Sequence, residues 1–269
     1  MIMGNPGQIV AANELAWLRW RTAGADGRAD RWLERRGLDP TEVRDAGWRL
    51  GWAETGWRDV VQLLRRHRIP MQLALEAGLI RRAQSGHLYD GFRGRVVIPV
   101  RDLFDGRIRG FTARRLDDAD QDVPKYLNSP NNTAYQKGRT LLGAWEARQR
   151  LRADTGRIPA LVVCEGPFDA IRINAARQWV AVAPCGTALT LHQAQWITAL
   201  ARAHQLPVQL AYDGDTAGHE ATWRSWDLLR DSGAPGLRLA DIPDGRDPAS
   251  LAPAELAMAL GARPNSARR

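Results

Sequence analysis

Apolar and polar positions alternate with three different rhythms along the chain. From residue 11 to about 80 the rhythm is helical. Trp17, Leu18 and Arg21 follow helical spacing, and Val60, Leu63, Leu64 and His67 line one stripe. Asp39-Pro40 reads as a helix start, with Asp as the cap and Pro in the first helical position. Gly37, Gly47, Gly56 and Gly78 punctuate this part. The pattern changes near Gly91, where residues 95–100 and 108–113 read as strands joined by a turn at Asp105-Gly106. Pro124 and Pro130 bracket an irregular stretch that leaves room for little regular structure. Residues 144–152 predict a helix. Beyond them a third rhythm begins, in which short apolar runs at 160–164, 179–183, 208–212 and 237–242 alternate with helical stretches at 167–177, 191–203 and 217–229. Strand and helix alternating at this interval predict an α/β fold with a parallel sheet flanked by helices. A smaller α+β part precedes it.

At 269 residues the chain has the length of one to two domains. The expected divisions are a helical part over 1–90, a mixed strand and basic-loop part over 91–156, the parallel-sheet domain over 157–250, and a C-terminal helix and tail over 251–269. With 44% apolar and 25% charged residues, wholesale disorder is excluded. No apolar run approaches the ~20 residues of a membrane span, and the first charged residue is Glu14, so the start lacks the basic segment of a signal peptide. Cys164 and Cys185 sit in apolar stretches without a CxxC or a histidine at zinc spacing. The expectation is a reducing, cytoplasmic setting, no zinc and no membrane. A net charge of +8 favours a polyanionic partner, nucleic acid before membrane surface.

In an open parallel sheet, ligands bind where strands end at their carboxyl side. The run at 160–164 is followed by Glu165-Gly166-Pro167-Phe168-Asp169. The run at 208–212 is followed by Asp213-Gly214-Asp215. The last run leads into Asp241, Asp244 and Asp247. Carboxylates crowded at one edge raise one another's pKa unless a cation neutralises them. An all-oxygen set selects Mg²⁺ or Mn²⁺, and such a metal serves nucleotidyl transfer or phosphodiester cleavage. Asp169 lies inside the next helix and is expected to support the ligands rather than touch the metal.

The basic residues carry a second signal. All but two of the 38 are arginine, and the two lysines, Lys125 and Lys137, stand twelve positions apart. The reading is a need for a compact ammonium that a planar guanidinium does not meet. Six of the eleven tryptophans precede residue 58. Core packing is the expected role, with base stacking as the alternative.

These motifs resemble a Toprim domain, whose signature is Glu-Gly after one strand and Asp-x-Asp after a later one. The likeness extends to bacterial DNA primases of the DnaG type. It runs through residues 162–169, 183–187 and 212–218, then 243–248, and upstream through 93–102. The most diagnostic stretch is Pro124-Lys125-Tyr126-Leu127-Asn128-Ser129-Pro130 followed by Lys137-Gly138-Arg139. The start, with residues 32–38, also fits, so the resemblance spans about residues 11–255. It implies template-directed synthesis of a short RNA primer on single-stranded DNA from ribonucleoside triphosphates. By motif match, Glu165, Asp213 and Asp215 are the main metal ligands, with Asp247 contributing. Lys125 and Lys137 fall in the basic site and are counted with the carboxylates as catalytic. Asn128 and Arg139 stand beside them, and Tyr126 either packs or contacts a base. Arg93 and Arg95 match the strand entrance that meets template or incoming nucleotide. Many members carry a second Asp where this chain has Ala249. The family's zinc-binding module and helicase-binding domain have no counterpart in the sequence. A helicase, or a separate zinc-binding protein that selects the template, is therefore the expected partner. The alternatives are a Toprim-type metal-dependent nuclease and a non-catalytic single-strand-binding module.

Overall fold

The computed structural model describes residues 5–23, 27–116, 124–153 and 158–261. In chain order the elements begin α1 (Pro6–Ala23), α2 (Arg28–Glu34), α3 (Pro40–Asp45), β1 (Gly51–Ala53), α4 (Asp59–Arg66) and α5 (Met71–Glu76). Then come β2 (Ile80–Arg82), β3 (Leu88–Asp90), β4 (Arg95–Arg101), β5 (Ile108–Arg115), β6 (Tyr126–Asn128), a 3₁₀ turn (Lys137–Arg139) and β7 (Leu141–Leu142). The rest is α6 (Ala144–Ala153), β8 (Leu161–Cys164), α7 (Pro167–Ala175), β9 (Val180–Pro184), α8 (Leu191–Ala203), β10 (Val208–Ala211), α9 (Thr216–Asp231), β11 (Arg238–Leu239), a 3₁₀ turn (Pro248–Ser250) and α10 (Pro253–Leu260). The boundary expected at 156/157 and the tail beyond Gly261 lie outside the described residues. Among the described residues no helix is long and apolar enough to cross a membrane.

The chain divides into two compact units. The first joins the residues up to Arg35 with Arg49–Lys137. Its main sheet is antiparallel, in the order β1-β4-β5-β6. Residues 95–100 are all buried, which is why β4 shows no alternation in sequence. Pro99 sits in the middle of β4 opposite Phe111. On the other side Phe111 N donates to Ser129 Oγ and Phe111 O accepts from Ser129 N, and β1 has already ended at Arg95–Val97. The N–H that proline lacks would thus have met no strand. Trp20 lies edge-on to Phe92 and Phe111, with ring centres 5.5 and 4.9 Å away. This aromatic centre fixes α1 to the sheet.

The expectation of helix over residues 11–80 is corrected by β1 and β2. Gly51 lies under α1, where a Cβ would stand 2.9 Å from the Trp17 ring. Only a residue without a side chain lets β1 pass there. Three residues are too few to show a period of two. The stripe on α4 is Val60, Val61 and Leu64, while His67 is exposed.

The second unit joins Arg36–Trp48 with the chain from Gly138 onward. Its sheet runs β11-β10-β8-β9-β7, parallel except for β7. The chain leaves β8 for β9 on one side and returns to β10 on the other. The switch point therefore falls between β8 and β10, so the loops after these two strands diverge around one crevice. Helix α7 packs on β9 and α3, whereas α8 and α9 pack on each other and on β10. Asp39 caps α3 through Thr41 N, with Pro40 in the first turn, as the sequence predicts. The last strand is shorter than expected. Asp241 N turns away to the carbonyl of Ala259, which closes α10 onto the sheet.

One buried acid in the first unit makes the packing testable. Arg58 gives α4 no side-chain cap. The carboxylate of Asp90, from β3, accepts from Val60 N at 3.0 Å and Val61 N at 2.9 Å instead. Asp90→Ala is expected to cost about 1–2 kcal/mol. The measurement is a lower urea midpoint at unchanged m-value. An unchanged midpoint would show that these N–H groups need no cap.

Candidate active site: an acidic sheet edge and a basic strand

The crevice at the switch point gathers the acids of the second unit. Glu165 follows β8, Asp213 follows β10, Asp215 caps α9 and Asp247 caps the 3₁₀ turn at Pro248–Ser250. The loops that carry them are locked by close approach. A Cβ on Gly214 would stand 2.2 Å from the carbonyl oxygen of Pro243, and one on Gly218 would stand 2.2 Å from that of Asp213. Gly214 exchanges backbone bonds with this same turn, donating to Arg246 O and accepting from Gly245 N, each at 2.8 Å. The third acidic loop is tied to the first by Asp169, which accepts from Gly166 N at 2.9 Å and Ala249 N at 3.0 Å. Arg172, one turn further along α7, donates to the carbonyls of Leu251 and Gly37.

The electrostatics follow from this crowding. Burial, then Glu165, Asp247 and Asp215, push the Asp213 carboxyl up to about 7. Glu165 is raised by burial and by Asp215. Burial, then Asp213 and Asp247, push Asp169 up to about 8 against its two backbone bonds. Asp215 and Asp247 each bind a backbone N–H with Oδ1, Gly218 at 2.7 Å and Ser250 at 2.7 Å. Asp213 Oδ1 is buried without a hydrogen-bond partner. Among the described residues no three Asp, Glu, His or Cys side chains already converge as a chelate. The acids feel one another's charge from the walls of the crevice, as mutual repulsion requires. An oxygen-only donor set with one orphaned buried oxygen fits a hard divalent cation.

The basic residues belong to the first unit, except Arg139. Lys125 is exposed just before β6, which pairs with β5 in the register Thr112–Asn128 and Arg114–Tyr126. Leu127 packs on the core, so Tyr126 and Asn128 share the opposite face of the strand. Tyr126 is held there: its hydroxyl accepts from Arg114 Nη1 at 2.7 Å, and that guanidinium lies over both the Tyr126 and Trp32 rings. Lys137 and Arg139 open and close one 3₁₀ turn, begun by Lys137 N donating to Asn131 Oδ1. Arg95 is buried and bonds two backbone carbonyls.

Arg93 reveals a feature the sequence hid. Its Cζ stands 3.3 Å from the centre of the Trp57 ring, while its Nε donates to the carbonyls of Thr55 and Gly56. Trp57 is 60% exposed, unlike the other five tryptophans of the N-terminal part, which are buried. Tyr89 meets it edge-on at 5.7 Å. The tryptophan count could not single out Trp57. The Trp-Arg-Asp run that starts α4 is the one local hint, since an aromatic at the polar start of a short helix has little core to enter.

Comparison with known proteins agrees with this layout. Residues 20–148 match the family model for the DNA primase catalytic core, N-terminal domain, and residues 162–252 match a Toprim-like model. The DNA primase of Halalkalibacterium halodurans is 38% identical over 225 residues, covering 83% of this chain and 35% of that protein. The DNA primase of Escherichia coli K12 is 37% identical over 237 residues, 87% and 38% of the two chains. The chain thus spans somewhat over a third of the length of these curated relatives. The DnaG primase catalytic domain solved bound to ssDNA superposes with a TM-score of 0.76 at 31% identity, covering 91% of this chain and 76% of that one. The E. coli primase catalytic core gives 0.74 at 33% identity, covering 91% and 75%. A Toprim-like domain joined to a primase core carries a general dependence on a divalent metal, in keeping with the acids described above. With that coverage and identity, the chain belongs to the DnaG-type DNA primase family, as the N-terminal domain of the catalytic core followed by its Toprim-like domain.

Proposed function

We propose that this chain is a primase catalytic core that joins ribonucleoside triphosphates into short RNA primers on a single-stranded DNA template, with Mg²⁺ or Mn²⁺ held by its acids. The observation that carries the reading is the buried, unpartnered Oδ1 of Asp213 among three other carboxylates at the switch point of the sheet. Glu165, Asp213, Asp215 and Asp247 would hold the cation. Bound there, it would activate the primer hydroxyl and stabilise the pyrophosphate leaving group. Asp169 keeps the Glu165 and Asp247 loops in register. Lys125 and Lys137, with Arg139, supply positive charge for the triphosphate, and Asn128 adds an amide on the same strand as Lys125. Arg93 and Trp57 offer a stacked cation and an open ring to an unpaired base and its phosphate. Two buried free cysteines fit a reducing cytoplasm. The partners proposed are the template, the nucleotides, and a helicase or a separate template-selecting protein.

Labelled ribonucleotides on single-stranded DNA, with and without Mg²⁺ or Mn²⁺, test this reading against strand cleavage. Primer-length RNA is expected only with metal. Cleavage of DNA without RNA synthesis would replace the reading by a nuclease. Asp213→Asn and Glu165→Gln are each expected to lower synthesis at least ~100-fold with the far-UV spectrum intact.

Without metal the acids should cost stability. The Asp213 carboxyl titrates at about 7, above its unfolded value, so the stability of its protonated form is lost as pH rises through 7. The metal-free protein is therefore expected to melt lower at pH 8 than at pH 5.5. Asp213→Asn should recover on the order of 1 kcal/mol at pH 8, solvent screening the exposed side of the site, or about 2–4 °C. Equal melting of the two proteins at pH 8 would contradict the crowding argument.

Trp57→Ala is expected to weaken binding of single-stranded DNA by about 1–3 kcal/mol whatever the sequence. Fluorescence anisotropy with labelled oligonucleotides reads this directly, and unchanged affinity would remove Trp57 from the template path.

A further inference from the structure

Arg95 opens β4, two residues after Arg93, which stacks on the exposed Trp57, yet it is only 2% exposed. Its Nη1 donates to the carbonyl of Lys125 at 3.1 Å and its Nη2 to that of Pro124 at 2.7 Å. The Lys125 carbonyl also accepts from the Arg115 backbone N–H at 3.1 Å. The step from Pro124 into β6 is therefore fixed at two consecutive carbonyls. Proline has no N–H with which to hold itself to β5, so these carbonyls are the groups available for the purpose.

The choice of residue is informative. Among the described residues no carboxylate faces the Arg95 guanidinium. Burial, then the positive Arg115 and Arg81, depress its pKa to about 10. Neutral donors could bond two carbonyls at less desolvation cost than a buried cation. A guanidinium does so with a rigid planar fork, which fixes the two carbonyls relative to each other. Bonded to the backbone through both Nη atoms and almost wholly buried, that fork is withdrawn from the surface where a phosphate would lie.

We infer that Arg95 is a positioning residue for Lys125: it acts through the Pro124–Lys125 backbone and touches neither template nor nucleotide. This departs from the direct contact that the motif match implies. It deepens the primase reading and rests on it, because the placement of Lys125 matters only where the basic strand serves nucleotidyl transfer.

The test compares Arg95→Gln, Arg95→Lys and Lys125→Ala, singly and with both positions changed, by primer synthesis and by the salt dependence of oligonucleotide binding. Arg95→Gln is expected to lower kcat at least tenfold and to leave the log-log salt slope unchanged. In the Lys125→Ala background it should lower kcat no further. Arg95→Lys, which reaches one carbonyl, should recover part of the loss, and it carries the same readouts if the glutamine variant does not fold. A slope shallower by about 0.7 would show a lost phosphate contact and overturn the inference. So would losses that multiply in the double variant, or full activity in Lys125→Ala. Failure of the wild-type protein to make any primer would instead overturn the primase reading. The salt slope, which needs no turnover, still decides whether Arg95 meets a phosphate.

Discussion

The acids at the carboxyl edge of the parallel sheet repel one another, and the loops around them are built to bear that repulsion. Among the described residues no basic side chain is paired with them; backbone N–H groups take the place of counter-charges. Gly166 N and Ala249 N serve Asp169, Gly218 N serves Asp215, and Ser250 N serves Asp247. Each such bond stabilises a carboxylate without cancelling its charge, so the edge stays attractive to a cation. The requirement for glycine at 214 and 218 follows from the same construction. The loops must come close enough for the acids to share one crevice, and at both positions the space for a Cβ is already filled by backbone.

The first unit has the opposite problem, an excess of cations, and meets part of it with carbonyls and aromatic faces. Arg114 lies between Trp32 and Tyr126, Arg93 covers Trp57, and Arg28 lies over Trp52 while pairing with Glu54. A planar, weakly hydrated guanidinium suits such sites, whereas an ammonium does not. The lopsided use of arginine over lysine acquires a structural reason here. Arginine can be packed and still keep its charge. Lys125, by contrast, stays exposed at the end of a strand whose entry is held by others. Carbonyls and rings orient positive charge without neutralising it, which suits a surface that meets a polyanion.

The parallel sheet was legible because β8, β9 and β10 are buried on both faces and so appear as unbroken apolar runs, each followed by residues that can turn. Their order in the sheet sets the loops that carry Glu165 and Asp213 side by side, so the gathering of these acids, though not their role, was legible in the sequence. The N-terminal part was less legible. The three residues of β1 carry no period, and their place beneath α1 depends on a missing Cβ at Gly51, a tertiary fact. The burial of Arg95 was hidden for a related reason. An arginine at the start of a strand ordinarily marks the solvent end, and only Pro124 and Lys125, on the way into β6 beyond β5, supply the carbonyls that draw it inward. Trp57 was hidden by the reverse error, since it is one of six tryptophans before residue 58 and the other five pack in the core.

Ala249 shows how far a site can be read from backbone rather than side chains. In the resembling primases a second acid often stands at this position. Here the residue has no carboxylate, yet its N–H holds Asp169, two positions after Asp247 caps the same turn and two before the Leu251 carbonyl meets Arg172. The segment therefore keeps the connections that would orient a ligand loop while bringing one charge fewer to the edge. Asp247 raises both Asp213 and Asp169 through space, and an added acid at 249 would raise these two further. With alanine in place, the strongest unrelieved demand for a cation falls on Asp213, the acid whose buried oxygen has no other partner.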